Sequence, residues 1–211
     1  MNIQELKEKD PERYEKEYWK WREYAAEYEW WDDVYEMAKE DAKPKGMRVD
    51  EIFFSGFWSQ GDGASWVGEV DVIPFLKAKG LEAEPMWFTL IALIRDGWID
   101  DKATVDGGGY RRGYRAMTTK VRDFAMNSSA HDGGVVSGGV LAGANVLDLL
   151  DAFGGDEALD ALEELMNEAA EDYAGDIYRM LENEYEHLTS EEMFESSCEC
   201  NEIEFDDEGD E

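Results

Sequence analysis

Cysteine and histidine are scarce in this 211-residue chain, which contains two of each. Both cysteines, Cys198 and Cys200, lie in the triplet C-E-C, with His187 as the sole nearby imidazole. This spacing is a poor match to the ligand pattern of structural zinc sites, so we expect reduced thiols and no metal. Because His131 and His187 are the only histidines, a histidine-dependent mechanism has few candidates. We expect neither a catalytic site nor a cofactor.

Long apolar runs and phosphate-loop motifs are also missing. No stretch approaches the roughly 20 apolar residues of a membrane-spanning helix, and the first ten residues lack the apolar core of a signal peptide. We therefore expect a soluble, intracellular protein without membrane contact. Neither G-x-x-x-x-G-K-[ST] nor G-x-G-x-x-G occurs, so the specific sequence signals of a phosphate-binding loop are absent.

Basic residues are few relative to acidic ones. The chain contains 20 Lys and Arg against 52 Asp and Glu, a formal net charge of −32. Residues 156–211 contain 23 acidic side chains and one basic side chain, so −22 of this charge lies in the last quarter. Such a field repels nucleic acid and anionic lipid and attracts basic protein surfaces. We expect no direct nucleic-acid binding, and a basic protein as partner.

Aromatic residues of helical spacing fill the first 43 positions. Asp10-Pro11 is typical of a helix start and Lys43-Pro44 of its end. Between them the pattern predicts one helix about 45 to 50 Å long. Trp19, Tyr24 and Trp30 lie off the main stripe, which favours a helix clamped between elements, a homodimer seam or a partner-binding arm. The stripe consists of Tyr14, Tyr18, Trp21, Ala25, Tyr28, Trp31, Tyr35 and Ala38.

The remaining pattern predicts an α+β fold, a small antiparallel sheet of about four strands packed by helices. A hairpin of Met47–Phe54 and Trp66–Val72 begins it, and further strands are predicted at 98–105 and 114–126. Shorter helices are predicted at 73–79, at 85–96 and after Ser190, and an edge strand at 201–205. We predict three parts: an aromatic helix at 1–45, an α+β domain at 46–205 and a disordered acidic tail at 206–211.

A glycine-rich loop connects the predicted hairpin strands, where Gly61 and Gly63 flank Asp62. One interpretation is an ordered hairpin loop that needs glycine for its backbone angles. The other is an anion or nucleotide site built from Gln60, Gly61, Asp62, Gly63 and Ser65. The turn D-G-G-G-Y-R-R-G is likewise either a hairpin tip or a phosphate contact. It holds the only basic cluster of the chain, Arg111, Arg112 and Arg115.

A long acidic helix is predicted from Glu157 to His187. Its predicted buried face consists of Leu159, Leu162, Met166, Ala169, Tyr173, Ile177 and Met180. Carboxylates four residues apart lie about 6 Å apart along a helix, a spacing comparable to that between neighbouring phosphates of one DNA strand. Like charges at this spacing destabilise a helix by a few tenths of a kcal/mol per pair. The pattern is therefore either a solvated face or a mimic of DNA. The predicted partner-binding residues are Glu157, Asp160, Glu164, Glu168 and Glu171.

Three segments of the chain are distinctive: S-G-F-W-S-Q-G-D-G-A-S-W, I-Y-R-M-L-E-N-E-Y-E-H-L-T-S-E-E and N-E-I-E-F. They resemble a family of small uncharacterised bacteriophage and prophage proteins, some loosely labelled antitoxin-like. The resemblance covers residues 49–205 unevenly and implies action in the cytoplasm of a bacterial host. It supplies no activity and no site residues. Together with the charge, it leads us to expect a non-enzymatic phage protein that inhibits a host nucleic-acid-directed protein, a defence or restriction factor. The alternative is a binder that sequesters a nucleotide immune signal.

Overall fold

The computed structural model describes residues 1–57, 59, 61–95, 101–107, 118–119 and 155–206. The chain forms two compact units. We call Met1–Val34 with Arg179–Glu211 the terminal unit, and Tyr35–Tyr178 the central unit. These units are groups of contacting residues and do not decide the predicted domain boundaries at residues 45 and 205, which stay predictions. The predicted tail beyond Asp206 lies outside the described residues.

Helices provide most of the described secondary structure. A short 3₁₀ helix, Lys43–Lys45, follows the third α-helix. The helix end predicted at Lys43-Pro44 is confirmed, and so are the helices predicted at 73–79 and after Ser190. The described part of the chain contains seven α-helices: α1 (Ile3–Lys9), α2 (Pro11–Ala25), α3 (Trp31–Ala42), α4 (Val72–Ala78), α5 (Pro85–Arg95), α6 (Gly155–Leu188) and α7 (Glu191–Cys200).

An antiparallel sheet lies at the centre of the central unit. Strand β1 (Met47–Phe54) pairs with β2 (Ala64–Asp71), and β2 pairs with β3 (Lys102–Asp106). A two-residue segment, β4 (Thr118–Thr119), pairs with the other edge of β3. The predicted α+β class and hairpin are confirmed. The predicted strand at 114–126 lies almost entirely outside the described residues, so a full fourth strand stays a prediction.

A β-bulge in β1 decides which of its side chains face the core. The pairing with β2 shifts between Val49 and Glu51, which leaves Asp50 as the extra residue. Inward positions therefore change from odd to even numbers, and both Val49 and Ile52 are buried. Strand β2 alternates regularly and buries Trp66 completely. The sheet consequently presents one continuous apolar face.

Helix α6 packs its apolar side chains within the central unit. The Trp66 indole N–H donates a hydrogen bond of 3.1 Å to the Ala170 carbonyl, and the Trp66 and Tyr173 rings meet edge to face at 6.0 Å between centroids. The predicted buried face of this helix is thus confirmed from Leu162 to Ile177, whereas Met180 is only half-buried. Its buried residues in the central unit are Leu162, Met166, Ala169, Ala170, Tyr173, Ala174 and Ile177.

The single aromatic helix predicted up to Lys43 is wrong, because the chain leaves the helical path between α2 and α3. Ala26 has φ −122° and ψ 27°, and Trp30 is buried at 7% exposure with its ring 5.7 Å from that of Tyr185. On a continuous helix Trp30 would lie about 160° from Tyr14, opposite the buried stripe. The break allows both to be buried, and it leaves Tyr28 of the predicted stripe exposed.

The N-terminal part of the aromatic stripe forms the core of the terminal unit. Ile3, Leu6, Tyr14, Phe194 and Cys198 cluster there, with Tyr18 and Trp21 packed against them. Core packing is therefore confirmed for this part of the stripe. The edge strand predicted at 201–205 is wrong, since Phe205 pairs only with Met1, to whose carbonyl its N–H donates at 2.9 Å.

The exposed aromatics of α2 do not form one seam. Trp19 is 50% exposed and Tyr24 is 65% exposed. Five residues apart on a helix, they point about 140° away from each other, on opposite flanks of the buried stripe. Self-association through this helix stays a prediction.

A charged network ties α1, α2 and α7 together in the terminal unit. The Lys7 ammonium donates to the Glu195 carboxylate at 2.5 Å, and the Tyr14 hydroxyl donates to the same carboxylate at 2.8 Å. The hydrogen bond from Lys7 holds the pKa of Glu195 below its usual range. Burial, then the bond to Glu195, raises the pKa of Tyr14. The network is therefore most stable with Glu195 ionised and Tyr14 neutral.

Gly46 allows the start of β1 to lie against α4. Its φ is +75°, and an added Cβ would lie 2.4 Å from the Phe75 backbone nitrogen. Gly80 has nearly the same φ, +72°, but nothing lies within 4 Å of an added Cβ.

We expect Gly80→Ala to lower the free energy of unfolding by about 1 to 2 kcal/mol through the left-handed backbone alone. Gly46→Ala should lower it by at least about 1 kcal/mol more. Urea unfolding of both variants measures the difference, and equal losses would contradict the close approach.

The terminal unit should lose stability in acid through Glu195. A carboxyl whose pKa is lowered by folding stabilises the protein above its unfolded pKa, and this contribution disappears as the pH falls through the folded pKa. Glu195→Gln should therefore destabilise by about 1 kcal/mol at neutral pH, and the difference from the unsubstituted protein should shrink as the pH falls through the range in which Glu195 takes up a proton. Glu204→Gln, which alters an exposed carboxylate of the same unit, is the control. Urea unfolding at a series of pH values distinguishes the two, and a parallel pH dependence would refute the role of Glu195.

Candidate functional site

The acidic helix α6 carries a long run of carboxylates in the central unit. Between residues 155 and 178 it contains nine carboxylates and no Lys or Arg. Seven of its apolar side chains are buried in the central unit, and the described carboxylates lie on the remaining surface. Acidic residues recur there every fourth position, at Asp160, Glu164, Glu168 and Asp172, and all four are exposed. We call these four residues the carboxylate row.

The row agrees with the predicted site at three of five positions. Asp160, Glu164 and Glu168 are exposed as expected. Glu171 is half-buried, whereas the neighbouring Asp172 is exposed. Asp172, the fourth position of the row, was therefore missing from the predicted site. Glu157 belongs to α6, but its side chain lies outside the described residues. The four-residue repeat from Asp160 is the signal that identifies Asp172.

Buried contacts on the opposite side fix the orientation of the row. The hydroxyl of Tyr173, next to Asp172, donates to the Ala38 carbonyl in α3. Burial, then the nearby Asp41 carboxylate, raises the pKa of Tyr173, so this hydroxyl keeps its proton. With the Trp66 contact to Ala170, these bonds hold α6 at two points between Glu168 and Asp176. The row is therefore presented by a helix that cannot rotate without breaking buried hydrogen bonds.

The row extends over about 18 Å of helix at 1.5 Å per residue, with about 6 Å between successive carboxylates. Each step also turns by about 40° around the axis, so the row winds gradually around α6. Within the described residues, Glu164, Glu168 and Asp172 form no ion pair with Lys or Arg. The arrangement can bind a surface on which basic groups recur at similar intervals.

The glycine loop uses its own polar groups internally. The Ser59 N–H donates to the Asp62 carboxylate at 2.5 Å, and the Gly63 N–H donates to the Ser55 hydroxyl at 3.1 Å. The Asp62 N–H donates to the Ser59 carbonyl. The Asp62 carboxylate thus already accepts the hydrogen bond of the Ser59 N–H, a donor that a bound anion would need. The ordered-loop interpretation agrees with these bonds, and Gly61 has the expected positive φ of 100°.

Of the other predicted ligand residues, the structure describes only Ser65. Ser65 lies on the half-buried outer face of β2. Gln60, Arg111, Arg112 and Arg115 lie outside the described residues. Nucleotide binding by this combination stays a prediction.

Metal ligands do not cluster in the part of the chain that the structure describes, where no group of three or more His, Cys, Asp or Glu side chains is placed to hold an ion. Both cysteines are free thiols; Cys198 is buried and Cys200 is exposed. Burial raises the pKa of Cys198, which favours its unreactive protonated form. Among the described helices, none is long and apolar enough to cross a membrane.

The family model for a domain of unknown function, DUF8835, matches residues 30–191. The chain therefore belongs to this family. No curated protein and no solved structure matches the chain. The match includes the whole central unit and thus the carboxylate row, whereas α1 and α2 precede it.

Repulsion within the row predicts that a single neutral substitution stabilises the protein. Glu168 has like charges one turn away on both sides, at Glu164 and Asp172. Glu168→Gln should raise the free energy of unfolding by about 0.4 to 1 kcal/mol at low salt, and the gain should shrink at about 1 M salt. Glu23→Gln changes the net charge equally, but Glu23 has Lys20 one turn before it on α2, and the next acid, Glu27, lies beyond the end of this helix. Urea unfolding at both salt concentrations compares them, and a gain at Glu23 as large as at Glu168 would count against local repulsion.

Proposed function

We propose that this chain is a non-enzymatic protein that binds and inhibits a basic, nucleic-acid-directed protein of a bacterial host by presenting the carboxylate row in place of DNA phosphates. The observation that carries the proposal is the row itself, a regular series of exposed carboxylates on a helix whose opposite side is buried. The resemblance of the sequence to phage-encoded proteins supports the host cytoplasm as the place of action and a defence or restriction factor as the partner.

Fixed positions distinguish this proposal from a general effect of net charge. A duplex binds basic proteins through phosphates at regular intervals, and each neutralised phosphate releases counterions. The row offers charges at a regular spacing on a support held by the Trp66 and Tyr173 contacts. An exposed flexible acid cannot keep such a spacing. Association should be fast and should weaken as salt is added.

The repulsion between neighbouring carboxylates also supports a role in binding. Three like-charged pairs at four-residue spacing destabilise the free helix by about 0.2 to 0.5 kcal/mol each. A basic partner placed over the row removes this repulsion, because its cations lie between the carboxylates. Part of the binding free energy therefore comes from relief of an unfavourable interaction in the free protein.

The deciding experiment is competition with DNA. Proteins retained by the immobilised chain from a bacterial lysate at about 50 mM salt and released at about 200 mM salt are identified and purified. Each is then bound to a fluorescent DNA duplex, and displacement by the chain is followed by anisotropy. We expect displacement by the unsubstituted protein, with an affinity that falls steeply between the two salt concentrations.

Two variants of equal net charge separate position from bulk charge. The first neutralises part of the row through Asp160→Asn, Glu164→Gln and Glu168→Gln. The second neutralises three exposed carboxylates outside α6, at Glu15, Glu23 and Glu27. The row variant should compete about tenfold or more weakly, and the second variant should compete nearly as well as the unsubstituted protein. Equal losses would leave only bulk charge, and a lack of displacement would exclude mimicry of DNA.

A further inference from the structure

A cleft of about 300 Å³ opens beside the last residue of the carboxylate row, within the central unit. Helix α6 forms one wall, and the other wall is formed by α4 and the residues that lead into β1. This volume is at the lower end of the range for small-molecule sites. The cleft is lined by Lys45, Met47, Phe75, Ala78, Lys79, Ala169, Asp172, Tyr173 and Asp176.

Apolar side chains form the floor of the cleft. Met47 and Phe75 are buried core residues that lie on the wall opposite α6, and Ala169 is buried on α6 itself. The close approach at Gly46, where an added Cβ would meet the Phe75 backbone, brings Met47 and Phe75 together. The floor therefore favours an apolar group of a ligand.

Charged groups of both signs surround this floor. Asp172 and Asp176 lie one helical turn apart on α6, about 6 Å along the axis. Lys45 is held in place by an ion pair with Asp41 and by the Tyr173 ring, 4.5 Å from its ammonium. Lys79 lies at the end of α4 with its ammonium 5.9 Å from the Phe75 ring, and it forms no ion pair with a described residue.

We propose that this cleft binds a small zwitterion with an apolar side chain, such as a free apolar amino acid. Its ammonium would lie between Asp172 and Asp176, its carboxylate beside Lys79, and its side chain on the floor of Met47, Phe75 and Ala169. An anion such as a nucleotide is disfavoured by the two carboxylates and by the net charge of −32. A simple cation is disfavoured by the positive charges of Lys45 and Lys79. The zwitterion satisfies both signs, and the site does not depend on the proposed protein partner.

Three related probes test this ligand class on the full chain. L-Leucine carries both charges, 3-methylbutylamine keeps only the ammonium, and 4-methylpentanoate keeps only the carboxylate. Methionine-methyl NMR reports binding through the Met47 signal, assigned with Met47→Leu. We expect leucine to shift this signal saturably with a dissociation constant of about 1 mM or tighter, and each half-probe to bind about tenfold or more weakly. The absence of a saturable shift, or half-probes that bind as well as leucine, overturns the proposal.

Matched substitutions locate the site. Asp172→Asn and Lys79→Gln should each weaken leucine binding about tenfold, because each removes one charge partner. Lys77→Gln, which removes an exposed charge on α4 outside the lining of the cleft, should leave leucine binding unchanged. Equal affinities in Asp172→Asn, Lys79→Gln and the unsubstituted protein would show that leucine binds elsewhere and would overturn the assignment. Since Lys79 does not belong to the carboxylate row, its variant also separates this site from the proposed DNA mimicry.

Discussion

The hydrogen bond from the Trp66 indole to the Ala170 carbonyl, with the Trp66 and Tyr173 rings packed edge to face, is the interaction on which the central unit depends. It joins β2, the strand that pairs with both β1 and β3, to the middle of α6. Complete burial of a large side chain such as Trp66 contributes about 1.5 to 3 kcal/mol. The three like-charged pairs of the carboxylate row oppose folding by about 1.5 kcal/mol at most. Burial therefore outweighs repulsion, and the acidic helix can be stable without a partner.

Periodicity predicted the elements well where one pattern dominated. The four-residue recurrence of apolar side chains predicted α6 and its buried face, and alternation predicted the hairpin. The acidic residues were assigned less accurately, because several positions on the polar side of a helix satisfy a three- or four-residue spacing equally well. A strict four-residue repeat from Asp160 leads to Asp172, and the structure agrees, because Asp172 is exposed whereas Glu171 is half-buried.

Two further features follow from tertiary contacts that a local pattern does not contain. The break between α2 and α3 depends on the burial of Trp30 against Tyr185, which is 155 residues later in the chain. The hydrogen bonds of the glycine loop depend on the orientation of the Asp62 side chain, which accepts from the Ser59 N–H. Glycine spacing alone is compatible with both an ordered loop and an anion site. The cleft beside Asp172 was not predicted either, since its lining comes from three separate segments.

The extent of the family match connects these features to the proposed functions. Residues 30–191 contain the sheet, the carboxylate row and the whole lining of the cleft, whereas α1 and α2 lie before this region. A function shared by the family must therefore be sought in the matched region and cannot require the Lys7–Glu195 network, which needs α1 and α7. Asp172 belongs both to the row and to the cleft. A zwitterion that places its ammonium beside Asp172 would neutralise one end of the row, and a basic partner bound over the row would compete for the same carboxylate. If both sites function, their ligands must oppose each other, and by linkage each would weaken the other to the same degree.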